Sequence, residues 1–283
     1  MKALLTIFLM IAFFANPLSA QELSGTLKKI QETGKIRIGF RQSQPPMSFL
    51  GKDNLPAGYS IDLGKHIAAG VQEKIGKDVK IQYITVTAED RFAALSNNKI
   101  DILCGSTTKT ISRGELVDFT QITFVTGASF MTLRGKHIKN NFSGKKIGVV
   151  KNTTTVVELK KLFTDTQTSA ETVILKSLAE GLEALKKGEI DALAADQVVL
   201  IGLALASDNP GNFSILPNLF SYEPFALAVR KNDSDFRHVA DSVISNLYRS
   251  NEILTIYDKW FGDFSNSRPA AFEALITINA IPE

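Results

Sequence analysis

The sequence predicts an α/β fold of two similar lobes, each an open, mostly parallel sheet flanked by helices, joined by two hinge segments. Three observations carry this prediction. Short β-rich runs alternate with helical patterns along most of the chain. One helix–turn–strand segment occurs twice, at 94–103 and at 184–193, each with an Ile-Asp pair leading into an apolar strand. The alternation restarts near 146, and a late strand with two helices then returns to the first lobe.

The first cycle opens with 35–40, which alternates apolar and polar residues with period two and reads as a strand. A helix follows over 61–75, with apolar residues at Ile61, Leu63, Ile67, Ala68 and Val71. Strand 79–85, a short helix at 91–95 and strand 100–103 complete a βαβαβ order. The second cycle repeats it with strand 146–150, helix 156–163, strand 172–175, helix 178–185 and strand 190–194. Strand 225–230 and helices 235–248 and 252–261 then close the first lobe. Residues 24–126 and 224–265 therefore form lobe one and 127–223 lobe two, with crossings near 123–128 and 221–224. The weakly patterned tail, 266–283, reads as a peripheral extension.

The N-terminus is set apart from this pattern. Lys2, an apolar run from Ala3 to Phe14 and the small residues Ser19 and Ala20 have the form of a secretory signal peptide over 1–20. A formal net charge of +3 with acids and bases well mixed argues against a nucleic-acid surface. Cys104 is the single cysteine, so no internal disulfide forms; its apolar surroundings predict a buried, inert thiol. The three histidines lack metal-ligand spacing, and no phosphate loop occurs, so no cofactor is expected.

Open α/β sheets bind ligands at the carboxyl ends of their strands. Arg41 follows the first strand, and Ser106, Thr108 and Arg113 follow the third. In the second lobe, Thr153 and Thr154 follow the first strand at a helix start, where free N–H groups favour an anion. Asp196 follows that lobe's last strand. An arginine can fork onto a carboxylate, and an aspartate can receive an ammonium group. A cation and an anion in opposite lobes suit a zwitterion.

These residues resemble the periplasmic amino-acid-binding proteins of ABC importers. The similar pieces are 58–63, the run 105–108 with Arg113, 117–120, 152–154, 190–192, Asp196 and 257–261. The resemblance implies a venus-flytrap periplasmic binding protein, a monomer that delivers a free amino acid to a membrane permease. It implies that Arg113 holds the ligand α-carboxylate with help from Thr108 and Thr153 or Thr154. Ser106 and Asp196 would take the α-ammonium, while Trp260 and Phe261 pack the lobe.

The nearest branch by resemblance is the glutamate/aspartate binders, through 104–108, Arg41 and a second arginine, Arg91. Two arginines facing one pocket repel unless an acidic group bridges them. The chain departs from that branch at Ala88, in place of a hydroxyl, and at Leu178, in place of a histidine. Asn152 also replaces a common glycine. Glutamine or asparagine thus stays open as ligand beside glutamate and aspartate. So does an enzyme resembling cyclohexadienyl dehydratase, for which Glu89 and Glu180 are the candidate acids.

Overall fold

The computed structural model describes residues 22–136, 138, 141–264 and 268–282. The segment 1–20, expected to be a signal peptide, lies outside the described residues. In chain order the elements begin with α1 (Gly25–Thr33), β1 (Lys35–Phe40), β2 (Ser43–Gln44), β3 (Ser48–Leu50), β4 (Pro56–Ala57) and α2 (Tyr59–Ile75). β5 (Lys80–Thr85), α3 (Arg91–Ser96), β6 (Ile102–Cys104), β7 (Val117–Thr126) and β8 (Ala128–Leu133) follow. Then come β9 (Lys146–Val150), α4 (Thr154–Asp165), β10 (Glu171–Leu175), α5 (Leu178–Lys187), β11 (Ala192–Asp196), α6 (Gln197–Leu205) and β12 (Phe213–Ile215). β13 (Glu223–Arg230), α7 (Ser234–Arg249), α8 (Glu252–Phe261) and α9 (Ala270–Asn279) end the chain.

Two five-stranded sheets define the lobes, in the orders β5-β1-β6-β13-β7 and β10-β9-β11-β8-β12. In each, three strands pair in parallel, and a fourth, β13 or β8, runs antiparallel to both its neighbours and joins the fifth. The antiparallel pairs come from the crossings. β7 and β8 are consecutive, one in each sheet, and Gly127 between them carries the chain across. The return crossing enters β13 at Glu223, which pairs with Thr126.

The repeat visible in the sequence is one packing device used twice. Asp101 accepts the backbone N–H of Arg37 at 2.9 Å and donates its own N–H to the Arg37 carbonyl at 2.8 Å. Asp191 does the same with Lys146, at 2.9 and 2.8 Å. The isoleucine before each aspartate lies against a glycine of the first strand. A Cβ on Gly39 would come within 2.4 Å of Ile100, and one on Gly148 within 2.6 Å of Ile190. Each Ile-Asp pair thus locks a helix–turn–strand unit onto the edge of its sheet's first strand.

The tail is not peripheral. Phe272 and Leu275 of α9 join the first lobe's core, and the Asn279 amide donates to the Ile122 carbonyl at 2.6 Å. Period-poor sequence conceals this because α9 is apolar on most sides (AAFEALITIN). The motifs at 58–63 and 257–261 also meet. Asp62 accepts the Lys259 ammonium at 2.6 Å and the Trp260 indole N–H at 2.8 Å, and Phe261 packs on Tyr59 and Phe124. Both are lobe packing. Cys104 is fully buried, and burial raises its thiol pKa strongly.

Candidate functional site

The lobes are closed on one another. The Arg91 guanidinium in the first lobe donates to the Asn152 carbonyl of the second at 3.0 Å, and Lys151 pairs with Glu89 at 2.5 Å. Gly202 of α6 lies so close to the loop after β2 that a Cβ there would sit 2.2 Å from the Pro45 carbonyl oxygen. One apolar cluster runs through both lobes.

The residues expected at strand ends lie along this closure. Arg41 follows β1, Ser106 to Arg113 follow β6, Thr153 and Thr154 start α4 after β9, and Asp196 ends β11. Arg91 opens α3, its guanidinium stacked 4.4 Å from the centre of the Phe92 ring. Arg113 lies over the same ring at 5.5 Å and donates to the Thr108 carbonyl at 2.8 Å.

Three buried or half-buried cations therefore converge. Burial pushes Arg41 down to about 10, with Asp90 opposing. Burial and then the charges of Arg113 and Arg41 push Arg91 down to about 9. Burial also lowers Arg113, opposed by Glu223 and Asp196. Guanidinium groups stay protonated under ordinary conditions, so the cost appears as attraction for an anion. Arg91 has only the Ala88 and Asn152 carbonyls as partners, and no hydrogen bond or ion pair reaches the Arg41 guanidinium among the described residues.

A carboxyl group lies beside them. Asp196 is pushed up to about 8, first by burial and then by Glu223, with Arg113 opposing. Its Oδ1 and the Ser106 Oγ are buried and without a hydrogen-bond partner among the described residues. Buried polar atoms are rarely left so, and each is an acceptor, or a hydroxyl, that a ligand could satisfy.

Glu223, which sequence reading missed, changes the expected role of the threonines. Its Oε2 accepts the hydroxyl of Thr108 at 2.5 Å and that of Thr154 at 2.8 Å. The Thr153 hydroxyl donates to the Val150 carbonyl at 2.7 Å. A hydroxyl has one proton to give, so none of these side chains can donate to a ligand carboxylate. What the threonines retain for an anion is backbone. Thr108 is the non-hydrogen-bonded partner of Phe225, so its own N–H and C=O point away from the ladder. That C=O receives Arg113, and the N–H has no partner among the described residues. The only sequence signal for Glu223 was its position in the return crossing.

The candidate acids for an enzyme are engaged elsewhere. Glu89 pairs with Lys151, and Glu180 accepts the Lys176 N–H at 2.7 Å while Ser177 caps its helix. Ala88 and Leu178 are buried in the apolar cluster spanning the lobes. Asn152 stands in left-handed backbone, φ 59°, which asparagine tolerates and glycine would also adopt. Among the described residues no acidic, histidine or cysteine group could hold a metal, and no helix is long and apolar enough to cross a membrane.

Two hinged lobes closed over unmatched charges of both signs define a binding protein that folds around a small charged solute. The chain belongs to the bacterial extracellular solute-binding proteins, family 3, whose model matches residues 36–263. It is 33% identical over 263 residues to an L-glutamate/L-aspartate-binding protein of Pseudomonas aeruginosa, covering 92% of this chain and 87% of that one. It is 30% identical over 246 residues to a glutamate/aspartate import solute-binding protein of Escherichia coli, covering 86% and 82%. A solved cysteine-binding protein from Campylobacter jejuni superposes with a TM-score of 0.75 at 26% identity, covering 88% and 98%.

Proposed function

We propose that this protein captures an amino acid with an acidic side chain, L-glutamate or L-aspartate, outside the cytoplasm and delivers it to the permease of an ABC transporter. The observation that carries the reading is the set of three arginines, Arg41, Arg91 and Arg113, in one closed cleft beside the unpaired carboxylate oxygen of Asp196. A neutral ligand would leave the arginines in mutual repulsion. A ligand with two carboxylates and one ammonium offers an opposite charge to the arginines and to Asp196 alike. The glutamate/aspartate binders among the relatives support the same choice.

In this reading Arg113 and the Thr108 N–H hold the α-carboxylate, with the N–H groups at the start of α4 facing it from the second lobe. Arg41 and Arg91 hold the side-chain carboxylate, and Ser106 and Asp196 take the ammonium. The first lobe supplies most of these groups, so the open form binds ligand there and closure adds Asp196 and α4. The ligand's contacts with both lobes are its differential affinity for the closed state, which draws the population toward closure. Buried charges are tolerable only when paired, so the ligand stabilises the closed form. Glu89 and Glu180, the candidate acids for dehydration, are held instead by Lys151 and by the backbone before α5.

A thermal-shift screen of the purified protein against the standard amino acids tests the proposal, because a ligand that binds only the folded state raises the melting temperature. A rise confined to glutamate and aspartate is expected. A rise confined to glutamine and asparagine would reject the acidic ligand, and no rise with any amino acid would reject the function.

A further inference from the structure

Glu223 lies where both lobes and both crossings meet. It is 1% exposed. Thr108 of the first lobe and Thr154 of the second donate to one of its oxygens, and the Ser221 hydroxyl donates to the other at 2.8 Å. Ser221 Oγ in turn accepts the Ala128 N–H at 2.9 Å, which ties the return crossing to the outward one.

We infer that Glu223 is a positioning residue that sets the polarity of the Thr108 and Thr154 hydroxyls, making them acceptors for the ligand's ammonium group and so enforcing recognition of an amino acid over a plain dicarboxylate. This rests on the amino-acid reading above.

The argument is one of proton counting. An ionised carboxylate only accepts, and each hydroxyl has a single proton. With both protons committed to Glu223, the hydroxyl oxygens, 3.4 Å apart, have only lone pairs left to offer. Two such oxygens repel a carboxylate and attract an N–H⁺ group. An ammonium has three N–H donors, and the acceptors here suit it: the two threonine oxygens and the unpartnered Oδ1 of Asp196, whose carboxyl feels the charge of Glu223. Glu223 also adds a second negative charge that acts on both Asp196 and Arg113. These acceptors lie beside Arg113, as an α-ammonium next to an α-carboxylate requires.

The test compares L-glutamate with glutarate, which has the same two carboxylates and no amino group, by isothermal titration on wild type, Glu223→Leu and Glu223→Gln. Wild type is expected to prefer L-glutamate by at least about 100-fold. In Glu223→Leu the threonine hydroxyls are released as donors, and that preference is expected to fall at least tenfold, with glutarate binding unchanged or improved. Glu223→Gln keeps the shape but loses the charge and gains protons to donate; its preference is expected to fall at least threefold, which keeps the test open if the leucine variant does not fold. Equal weakening of both ligands in the folded variants, or an unchanged preference in Glu223→Gln, overturns the inference and leaves a purely structural hinge residue. Wild type that binds glutarate as tightly as L-glutamate overturns the amino-acid reading, and this inference with it.

Discussion

The guanidinium of Arg91 donates to the backbone carbonyl of Asn152 at 3.0 Å, a hydrogen bond that runs from one lobe to the other. It reports closure and at the same time leaves a charge unresolved. A carbonyl is a neutral acceptor, and Arg91 shares its surroundings with Arg41 and Arg113. An anion entering between them relieves the repulsion that the protein itself does not.

Arg91→Ala is therefore expected to weaken binding of L-glutamate and L-aspartate by about 2–5 kcal/mol, the cost of stranding a buried charge. This is about 30-fold to a few thousand-fold in Kd. Glutamine, lacking the side-chain charge, should weaken much less. Arg113→Ala should weaken all of these ligands in similar proportion, because each carries the α-carboxylate. Titration calorimetry on the two variants separates the roles, and equal losses for glutamate and glutamine in Arg91→Ala would remove Arg91 from side-chain recognition.

Asp196 predicts the pH dependence. Its carboxyl is raised from 3.8 to about 8 in the closed arrangement of the lobes. Between those values the folded chain holds a proton that the unfolded chain has released. The contribution of Asp196 to stability is thus present below about pH 4 and is lost as pH rises toward 8. Ligand reverses the preference, since an ammonium group requires the carboxylate. Binding of L-glutamate at pH 7 should release close to one proton, and affinity should rise with pH up to about 8 and then level off. Calorimetry in buffers of different ionisation enthalpy counts the proton, and Asp196→Asn should abolish its release.

Much of this architecture is legible in the sequence because the repeat carries its own mechanism. Ile100-Asp101 and Ile190-Asp191 each fix a turn to a first strand through short-range pattern and one buried carboxylate. β13 was legible as a strand over 225–230, whereas β7 and β8 are harder to read, because they flank a crossing and pair over long separations. α6 was missed because its run from Gln197 to Leu205 is apolar all round, with no period to mark a helix. In the cleft, the charged residues at strand ends were legible from topology alone. The direction of the threonine protons was not, because it depends on Glu223, more than a hundred residues away from Thr108.

The two aspartates of the repeat should differ in energetic weight. Asp101 is fully buried and pairs with Lys29, Arg37 and Arg230 at 2.9, 2.9 and 3.0 Å. Asp101→Ala leaves those cations around an empty site, and removing one partner from a buried pair costs about 3–5 kcal/mol. Asp191 is half-buried and accepts one backbone N–H among the described residues. Asp191→Ala should cost about 0.5–1.5 kcal/mol, the worth of an ordinary hydrogen bond. Denaturant unfolding of both variants checks the order, and a reversed order would contradict the network around Asp101.

Gly202 tests closure without touching the cleft chemistry. In Gly202→Ala the new methyl would lie 2.2 Å from the Pro45 carbonyl oxygen, across the lobe interface, so the lobes must part or shift. Within α6 itself alanine is the better helix former, by about 0.5–1 kcal/mol. The ligand-free protein should therefore be no less stable than wild type, since the open form does not meet Pro45. Ligand binding should weaken, because overpacking costs about 1–3 kcal/mol, or roughly 5- to 150-fold in Kd. The thermal shift caused by ligand should shrink accordingly. Small-angle scattering should show the variant keeping a larger radius of gyration than wild type at equal ligand occupancy. Wild-type affinity and full compaction in Gly202→Ala would mean that the contact with Pro45 is not part of the closed, ligand-bound state.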